Sequence, residues 1–266
     1  MPTVGELMHR GLVTCRPDAT LAGVATLLVE HRIHAVVVAG EDGEPRGVVS
    51  DTDLLAGEWL AGDEESLVEM RSMTAADLMT PDVETIDASA PMAEAAARLG
   101  SRHLGRLVVL DGGAAVGVLS VSDVVGALAR HPAGPRTVAD AMSRGFVACR
   151  PDTTVAALAR TMTERRSRSV VVLSPDGQAL GVVTGQDLIS LGEGADERQA
   201  VELMHHPLTI GPTASLQEAA DRMLHEEVHR LLVVDPEDPS SVPLGVLSTA
   251  DVLAEMTAPG SPWLEP

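Results

Sequence analysis

The chain has 266 residues and is strongly acidic, with 19 Lys and Arg against 39 Asp and Glu and a formal net charge of −20 at pH 7. Nucleic-acid binding depends on Lys and Arg that neutralise phosphates, so this charge argues against DNA or RNA as a direct partner. The sequence shows no basic signal segment and no apolar run near the roughly 18 residues of a membrane span, so we expect a cytoplasmic protein without a membrane partner. Its 45% hydrophobic content is enough for sizeable cores.

One heptapeptide pattern occurs four times: Gly, two aliphatic residues, Ser or Thr, two variable residues and Asp. The four copies are GVVSDTD (47–53), GVLSVSD (117–123), GVVTGQD (181–187) and GVLSTAD (245–251). A methionine recurs upstream of each copy's first strand, at Met8, Met79, Met142 and Met204. A fixed period of this kind indicates one small structural unit used four times.

The order of structural signals is clearest in the first copy. A turn-rich stretch (12–20) precedes apolar residues at helical spacing, and the apolar run AVVVA (35–39) follows. A loop with Asp42 and Gly43 then leads to a second apolar run at 47–49, which reads as a hairpin, and a second helical pattern follows. The sequence therefore predicts an α/β (α+β) fold of four β-α-β-β-α units.

The fourth copy predicts where its first helix begins. The sequence SLQE (215–218) is a capping box, which opens a helix by satisfying its first backbone N–H groups. The spacing then places Leu216, Ala219, Met223 and Leu224 on one apolar face.

The copies differ in a way that indicates a second duplication. Copies one and three share VTCRPDATL (13–21) and VACRPDTTV (147–155), and copies two and four share LGRLVVLD (104–111) and VHRLLVVD (228–235). We expect the repeats at 4–55, 73–130, 138–192 and 200–256. The breaker-rich segment 131–137 divides them into halves of 1–130 and 136–256. The acidic stretch 56–70 is predicted to be an exposed helix or lid, and 257–266 a tail.

Together these units resemble CBS domains, the module named after cystathionine beta-synthase. The resemblance covers Val4 to Met256 and rests on four heptapeptides in register after Val-rich strands. It implies that the repeats pair into two pseudo-symmetric Bateman modules, as an intramolecular four-repeat disc or a homodimer. It also implies that adenosine nucleotides bind in clefts between paired repeats.

Basic residues cluster just before the central strand of each copy. The resemblance implies phosphate contacts for His34, Arg106, Arg168, His229 and Arg230, and the pair His229-Arg230 resembles the nucleotide-sensing gamma subunit of AMP-activated kinase. The alternative is that these long side chains cover strand edges and keep an acidic surface soluble.

The hydroxyl and Asp of the heptapeptide also have two interpretations. A Ser or Thr with an acid three residues later caps a helix, and capping alone would produce the pattern. The same geometry also suits a nucleotide, and the resemblance implies that the Asp binds ribose hydroxyls while the hydroxyl residue contacts phosphate. Capping boxes more often use Glu or Gln, so Asp in every copy favours the ribose role. The candidate residues are Ser50, Asp53, Ser120, Asp123, Thr184, Asp187, Ser248 and Asp251.

The first strand of each copy supplies further candidates. Thr14, Thr85 and Thr209 align there, while the third copy has Ala148. The resemblance implies contacts around the base and phosphate, whereas the simpler explanation is the β-propensity of Thr. Because the third copy also places Ser167 before its central strand, we expect its site to be empty and the fourth site to be occupied.

The ligand and the function class follow from the resemblance and the composition. With Phe146, Trp59 and Trp263 as the only aromatic residues, an adenine would lie between aliphatic and Met side chains. The sequence does not distinguish AMP, ADP, ATP and S-adenosylmethionine. Cys15 and Cys149 occupy equivalent positions, which indicates inheritance by duplication rather than a redox role.

Catalytic motifs are absent from the sequence: it has no nucleophile elbow, P-loop or dinucleotide fingerprint, and its histidines lack metal-ligand spacing. We therefore predict a stand-alone regulatory protein, not an enzyme, with no catalytic residue, metal or catalytic cofactor. It would bind an adenosine nucleotide for energy sensing and pass the bound state to an unknown regulated protein. The alternative is a ligand-free scaffold for oligomerisation or protein–protein interaction.

Overall fold

A computed structural model describes residues 2–60, 73–130, 136–191, 195–238, 241–258 and 261. Most of the predicted lid (56–70) and of the tail (257–266) therefore lies outside the described residues. In the described part of the chain, no helix has the length and apolar character to cross a membrane.

Each copy contains the predicted β-α-β-β-α unit. Copy one has β2 (Thr14–Cys15), α2 (Leu21–Glu30), β3 (Ala35–Ala39), β4 (Pro45–Ser50) and α3 (Asp51–Leu60). Copy two has β6 (Thr85–Asp87), α5 (Met92–Ser101), β7 (Arg106–Asp111), β8 (Ala114–Ser120) and α6 (Val121–Ala129). Copy three has β9 (Ala148–Cys149), α8 (Val155–Arg165), β10 (Ser169–Leu173), β11 (Ala179–Thr184) and α9 (Gly185–Ile189). Copy four has β12 (Thr209–Ile210), α11 (Leu216–His225), β13 (Arg230–Val233), β14 (Gly245–Ser248) and α12 (Thr249–Met256).

The four sheets share one pairing scheme. The first strand of each copy pairs in parallel with the central strand, and the central strand pairs antiparallel with the last one. The last strand of each copy ends at the Ser or Thr of the heptapeptide, and the final helix begins at the next residue.

A short segment with a one-turn helix precedes each copy. These segments contain α1 (Val4–Leu7) and β1 (His9–Arg10), α4 (Ala75–Leu78) and β5 (Thr80–Pro81), α7 (Val138–Ala141), and α10 (Ala200–Leu203). Each lies against the other member of a consecutive pair of copies: β1 pairs with β8, β5 pairs with β4, Ser143 bridges to Val246, and His205 bridges to Val182.

The chain forms two compact units. One comprises Met1–Gly11, Glu84–Phe146 and Pro207–Pro266, and so contains copies two and four. The other comprises Leu12–Val83 and Val147–His206, and so contains copies one and three. The predicted halves, 1–130 and 136–256, group consecutive copies instead. The pairing of consecutive copies into modules stays a prediction.

Each unit has a core that involves both of its copies. In the unit of copies two and four, one buried cluster includes Leu107 and Leu119 as well as Leu231 and Leu247. In the other unit, Leu55 of copy one belongs to the buried cluster of copy three.

The predicted start of α11 is confirmed, but one residue of its apolar face is wrong. The Ser215 hydroxyl accepts the Glu218 N–H at 3.0 Å. Leu216, Ala219 and Met223 are buried, whereas Leu224 is 37% exposed. Ala220 is buried in its place, because positions i, i+3, i+4 and i+7 share one helix face.

Both cysteines are free thiols. Burial raises the pKa of the Cys15 thiol, and burial also raises that of Cys149, to about 11. Because the thiolate is the reactive form, both side chains behave as small apolar residues at neutral pH.

Candidate functional site

The hydroxyl and Asp of each heptapeptide form a helix cap. At the β4–α3 junction, one Asp53 oxygen (Oδ2) accepts the Ser50 N–H at 2.8 Å and the Ser50 hydroxyl at 2.6 Å. The Ser50 Oγ in turn lies 3.3 Å from the Asp53 N–H. The same reciprocal bonds occur in the pairs Ser120 and Asp123, Thr184 and Asp187, and Ser248 and Asp251. Capping is therefore present in all four copies, and it uses only one carboxylate oxygen of each Asp.

In copies two, three and four, the second carboxylate oxygen (Oδ1) faces the residue that follows a recurring methionine. His9 Nδ1 lies 3.1 Å from Asp123 Oδ1, and His205 Nε2 lies 2.7 Å from Asp187 Oδ1. In copy four the Ser143 hydroxyl lies 3.5 Å from Asp251 Oδ1, which is longer than a normal O–H···O hydrogen bond. The residue at this position is His9, Thr80, Ser143 or His205.

The heptapeptide glycine allows that segment to approach. At each of the four glycines a Cβ would meet the methionine-containing segment closer than ordinary van der Waals contact. A Cβ added to Gly47 would lie 2.6 Å from Met79 Sδ, and one added to Gly117 would lie 2.3 Å from the His9 carbonyl oxygen. A Cβ added to Gly181 would lie 2.7 Å from a Met204 carbon, and one added to Gly245 would lie 2.4 Å from the Ser143 carbonyl oxygen. In copies one, two and three the recurring Met itself is among the nearest atoms, whereas in copy four the contact is with Ser143 and Arg144, which follow Met142. The sequence showed the recurring Gly and the recurring Met, and the period that they share was the signal that could have predicted this contact.

The predicted cations occupy two different positions. Arg106 pairs across the ladder with Ser120, and Arg230 pairs with Ser248, so both lie at the first residue of the central strand. Copies one and three have Ala35 and Ser169 at this position. His34, Arg168 and His229 come one residue earlier, where their carbonyl oxygens accept the first N–H of α3, α9 and α12. The structure thus places an Arg directly across the ladder from the capping hydroxyl in copies two and four, whereas Arg168 of copy three lies one residue before that position.

His229 also connects the two copies of its unit. Its Nδ1 lies 3.1 Å from the Ser122 hydroxyl at the start of α6. A side chain of copy four therefore reaches the helix N-terminus of copy two.

Copy one carries a buried acid that we did not predict. Asp51, the first variable residue of its heptapeptide, is 3% exposed. Its Oδ2 lies 2.8 Å from His34 Nδ1, and Asp51 lines a cavity together with Thr163, Ser167 and Arg168. A sequence signal existed, because the other copies have Val, Gly or Thr at this position.

The first-strand candidates lie where predicted. Thr14, Thr85 and Thr209 pair in parallel with the central strands, as does Ala148 in copy three. Arg98 donates to the Thr85 carbonyl at 3.0 Å. Among the described residues, no group of three or more His, Cys, Asp and Glu is arranged to hold a metal ion.

Comparison with known proteins assigns the family. The model of the CBS domain matches residues 4–58, 75–130, 138–194 and 200–258. The chain belongs to the CBS domain family. Protein MJ1225 from Methanocaldococcus jannaschii, a proposed archaeal homologue of g-AMPK, has the same fold over 94% of this chain and 98% of its own, with a TM-score of 0.82 at 19% identity.

Two curated relatives resemble parts of this CBS protein. An uncharacterized protein of Methanopyrus kandleri is 28% identical over 124 residues, which is 46% of this chain and 61% of that protein. A CBS domain-containing protein of Dictyostelium discoideum is 30% identical over 145 residues, which is 50% of this chain and 97% of that protein.

Proposed function

We propose that this protein is a non-enzymatic regulator that binds an adenosine-containing ligand at the strand-to-helix junctions of its CBS repeats. AMP, ADP, ATP and S-adenosylmethionine are the candidate ligands, and a partner protein would respond to the bound state. A homodimer or an intramolecular assembly of four repeats, and a cytoplasmic location, stay predictions from the sequence.

The observation that carries the proposal is that the two carboxylate oxygens of Asp251 have different contacts. One of its oxygens completes the cap of α12, while the other meets the Ser143 hydroxyl at 3.5 Å. A carboxylate held in place through one oxygen is pre-organised to accept ribose hydroxyls through the other. Arg230 lies across the ladder from Ser248, which adds a cation beside the helix N-terminus, and both features favour a phosphate.

Titration of the protein with AMP, ATP and S-adenosylmethionine by calorimetry tests the proposal. Asp251→Ala removes the ribose acceptor, and we expect an affinity loss of about 10- to 100-fold, since charge-assisted hydrogen bonds contribute about 1.5–3 kcal/mol. Asp187→Ala is the matched control, because it removes an equivalent helix cap whose Asp is already in contact with His205. The two variants should lose similar stability, and only Asp251→Ala should lose affinity.

Failure of every ligand to bind below millimolar concentration would contradict the proposal. It would favour the ligand-free scaffold, for which the complete caps in all four copies are the supporting observation. Equal affinity in Asp251→Ala and Asp187→Ala would reject Asp251 as the ribose ligand.

A further inference from the structure

Copies two and four belong to one unit and have nearly the same strand-to-helix junction. In each copy a Ser and an Asp form the helix cap, and an Arg lies across the ladder from that Ser. The Arg is Arg106, opposite Ser120, in copy two and Arg230, opposite Ser248, in copy four. The first strand of each copy also has a Thr that pairs with the central strand. The features that favour copy four under the proposed function therefore recur in copy two.

The two junctions differ at the residue that follows the recurring methionine. His9 lies at the junction of copy two, and Ser143 lies at the junction of copy four. Their backbones occupy the same place, because His9 pairs with Val118 and Ser143 bridges to Val246, the second residue of each heptapeptide. The difference between the two junctions is therefore one of side chains at equivalent positions.

The imidazole of His9 contacts the oxygen that the proposed function assigns to ribose. Asp123 Oδ2 accepts the Ser120 N–H and the Ser120 hydroxyl, each at 2.7 Å, and belongs to the cap. His9 Nδ1 lies 3.1 Å from the other oxygen, Oδ1, and the imidazole donates because an ionised carboxylate only accepts. In copy four the Ser143 hydroxyl lies 3.5 Å from Asp251 Oδ1, beyond normal hydrogen-bond distance. The acceptor is therefore more firmly engaged in copy two than in copy four.

His9 covers this oxygen from the side of the solvent. Its side chain is 80% exposed, whereas that of Asp123 is 11% exposed. A ribose that binds Asp123 approaches from the solvent and meets the imidazole first. The backbone of His9 is held in place, since it pairs with β8 and the next-but-one N–H, that of Gly11, donates to the Val116 carbonyl at 2.9 Å. Rotation of the exposed ring is therefore enough to uncover the oxygen.

We propose that His9 is an internal competitor for the ribose-binding oxygen of copy two and sets the ligand affinity of this copy below that of copy four. The inference rests on the proposed function and adds to it a residue that determines affinity. A ligand in copy two has to displace the imidazole from Asp123. The contact that is lost lies between an exposed ion pair and a charge-assisted hydrogen bond in strength, which corresponds to about three- to tenfold in affinity.

Two reciprocal substitutions test the inference by calorimetric titration with AMP. His9→Ser gives copy two the residue of copy four, and Ser143→His gives copy four the residue of copy two. In the Asp251→Ala background, which lacks the ribose acceptor of copy four, we expect His9→Ser to increase the AMP affinity about three- to tenfold. With Asp251 in place, we expect Ser143→His to lower the AMP affinity by the same factor.

His225→Ser is the matched control, because it removes an exposed imidazole from α11 of the same unit and should leave the AMP affinity unchanged. His9 and Ser143 are also exposed, so we expect the variants to fold, and circular dichroism checks this.

The outcomes separate this inference from the proposed function. A wild-type protein that binds AMP, with unchanged affinity in His9→Ser and Ser143→His, would overturn the inference and leave the proposed function in place. An equal change in His225→Ser would also overturn it, because the effect would then not depend on contact with Asp123. If neither the wild-type protein nor His9→Ser binds AMP, the proposed function is refuted and this inference with it.

Discussion

Gly117→Ala should disrupt the contact between the first segment of the chain and copy two. A Cβ at this position would lie 2.3 Å from the His9 carbonyl oxygen and 2.9 Å from Met8 Sδ. The Met8 side chain can rotate away, but the carbonyl oxygen belongs to the backbone of β1. An ordinary C···O contact is about 3.3 Å, so β1 would have to move by about 1 Å.

That movement would weaken the bonds that hold β1. His9 and Arg10 pair with β8, and the Gly11 N–H donates to the Val116 carbonyl at 2.9 Å. Overpacking of a well-packed site costs about 1–3 kcal/mol, which lowers the melting temperature of a chain of this size by about 2–12 °C. The displaced strand would also carry His9 away from Asp123.

Thermal and urea unfolding of matched glycine variants measures this cost. Gly145→Ala is the control, because nothing lies within 4 Å of the added Cβ and the glycine does not require a positive φ. We expect it to be neutral or slightly stabilising, by up to about 1 kcal/mol. Gly47→Ala should fall between the two, since two of the three atoms that it meets, Met79 Sδ and Cγ, can rotate away, while Met79 Cβ at 2.9 Å is held by the backbone. Gly117→Ala with the stability of Gly145→Ala would refute the steric argument.

Three other changes test the junctions and the buried acid. Ser248→Ala removes the hydroxyl cap of α12 and should cost about 1 kcal/mol of unfolding free energy in urea titrations; no loss would show that the cap does not contribute. His205→Ser gives copy three the residue type that copy four has at this position, and it frees the second oxygen of Asp187. The proposed function then predicts that calorimetry counts more adenosine-ligand molecules bound per chain. An unchanged number would mean that His205 does not control access to Asp187. Burial opposes ionisation of Asp51, but the hydrogen bond from His34 and the nearby positive charges outweigh it and lower its folded-state pKa. The stabilisation by Asp51 is therefore full above the unfolded-state value of about 3.9 and is lost as the pH falls through the lower folded-state value. The stability difference between the wild-type protein and Asp51→Asn should therefore shrink below about pH 4; a constant difference would contradict this linkage.

The repeats, their β-α-β-β-α order and the helix caps could be predicted because local sequence determines them. A hydroxyl three residues before an acid fixes the geometry of a helix N-terminus without help from distant residues. The apolar face of α11 was predicted nearly completely for the same reason. Leu224 was the error, because an apolar residue adjacent to a helical stripe looks identical in sequence to one inside it.

The features that required the structure are contacts between segments distant in sequence. The methionine-containing segments pack on the neighbouring copy, and sequence spacing alone does not state which glycine each methionine meets. This packing brings His9 to Asp123 and His205 to Asp187. The position of Asp51 in the heptapeptide was visible, but its burial beside Arg168 depends on how copies one and three pack together.

Two positions outside the heptapeptide now distinguish copies whose caps are alike. The first residue of the central strand determines whether a cation lies across the ladder from the capping hydroxyl. In copy four this residue is Arg230, and in copy three it is the uncharged Ser169. The residue after the methionine determines whether an imidazole contacts the second oxygen of the Asp, as His205 does in copy three. Copy four is favourable at both positions and copy three at neither. Under the proposed function, a difference in occupancy between the copies therefore comes from these two positions and not from the heptapeptide itself.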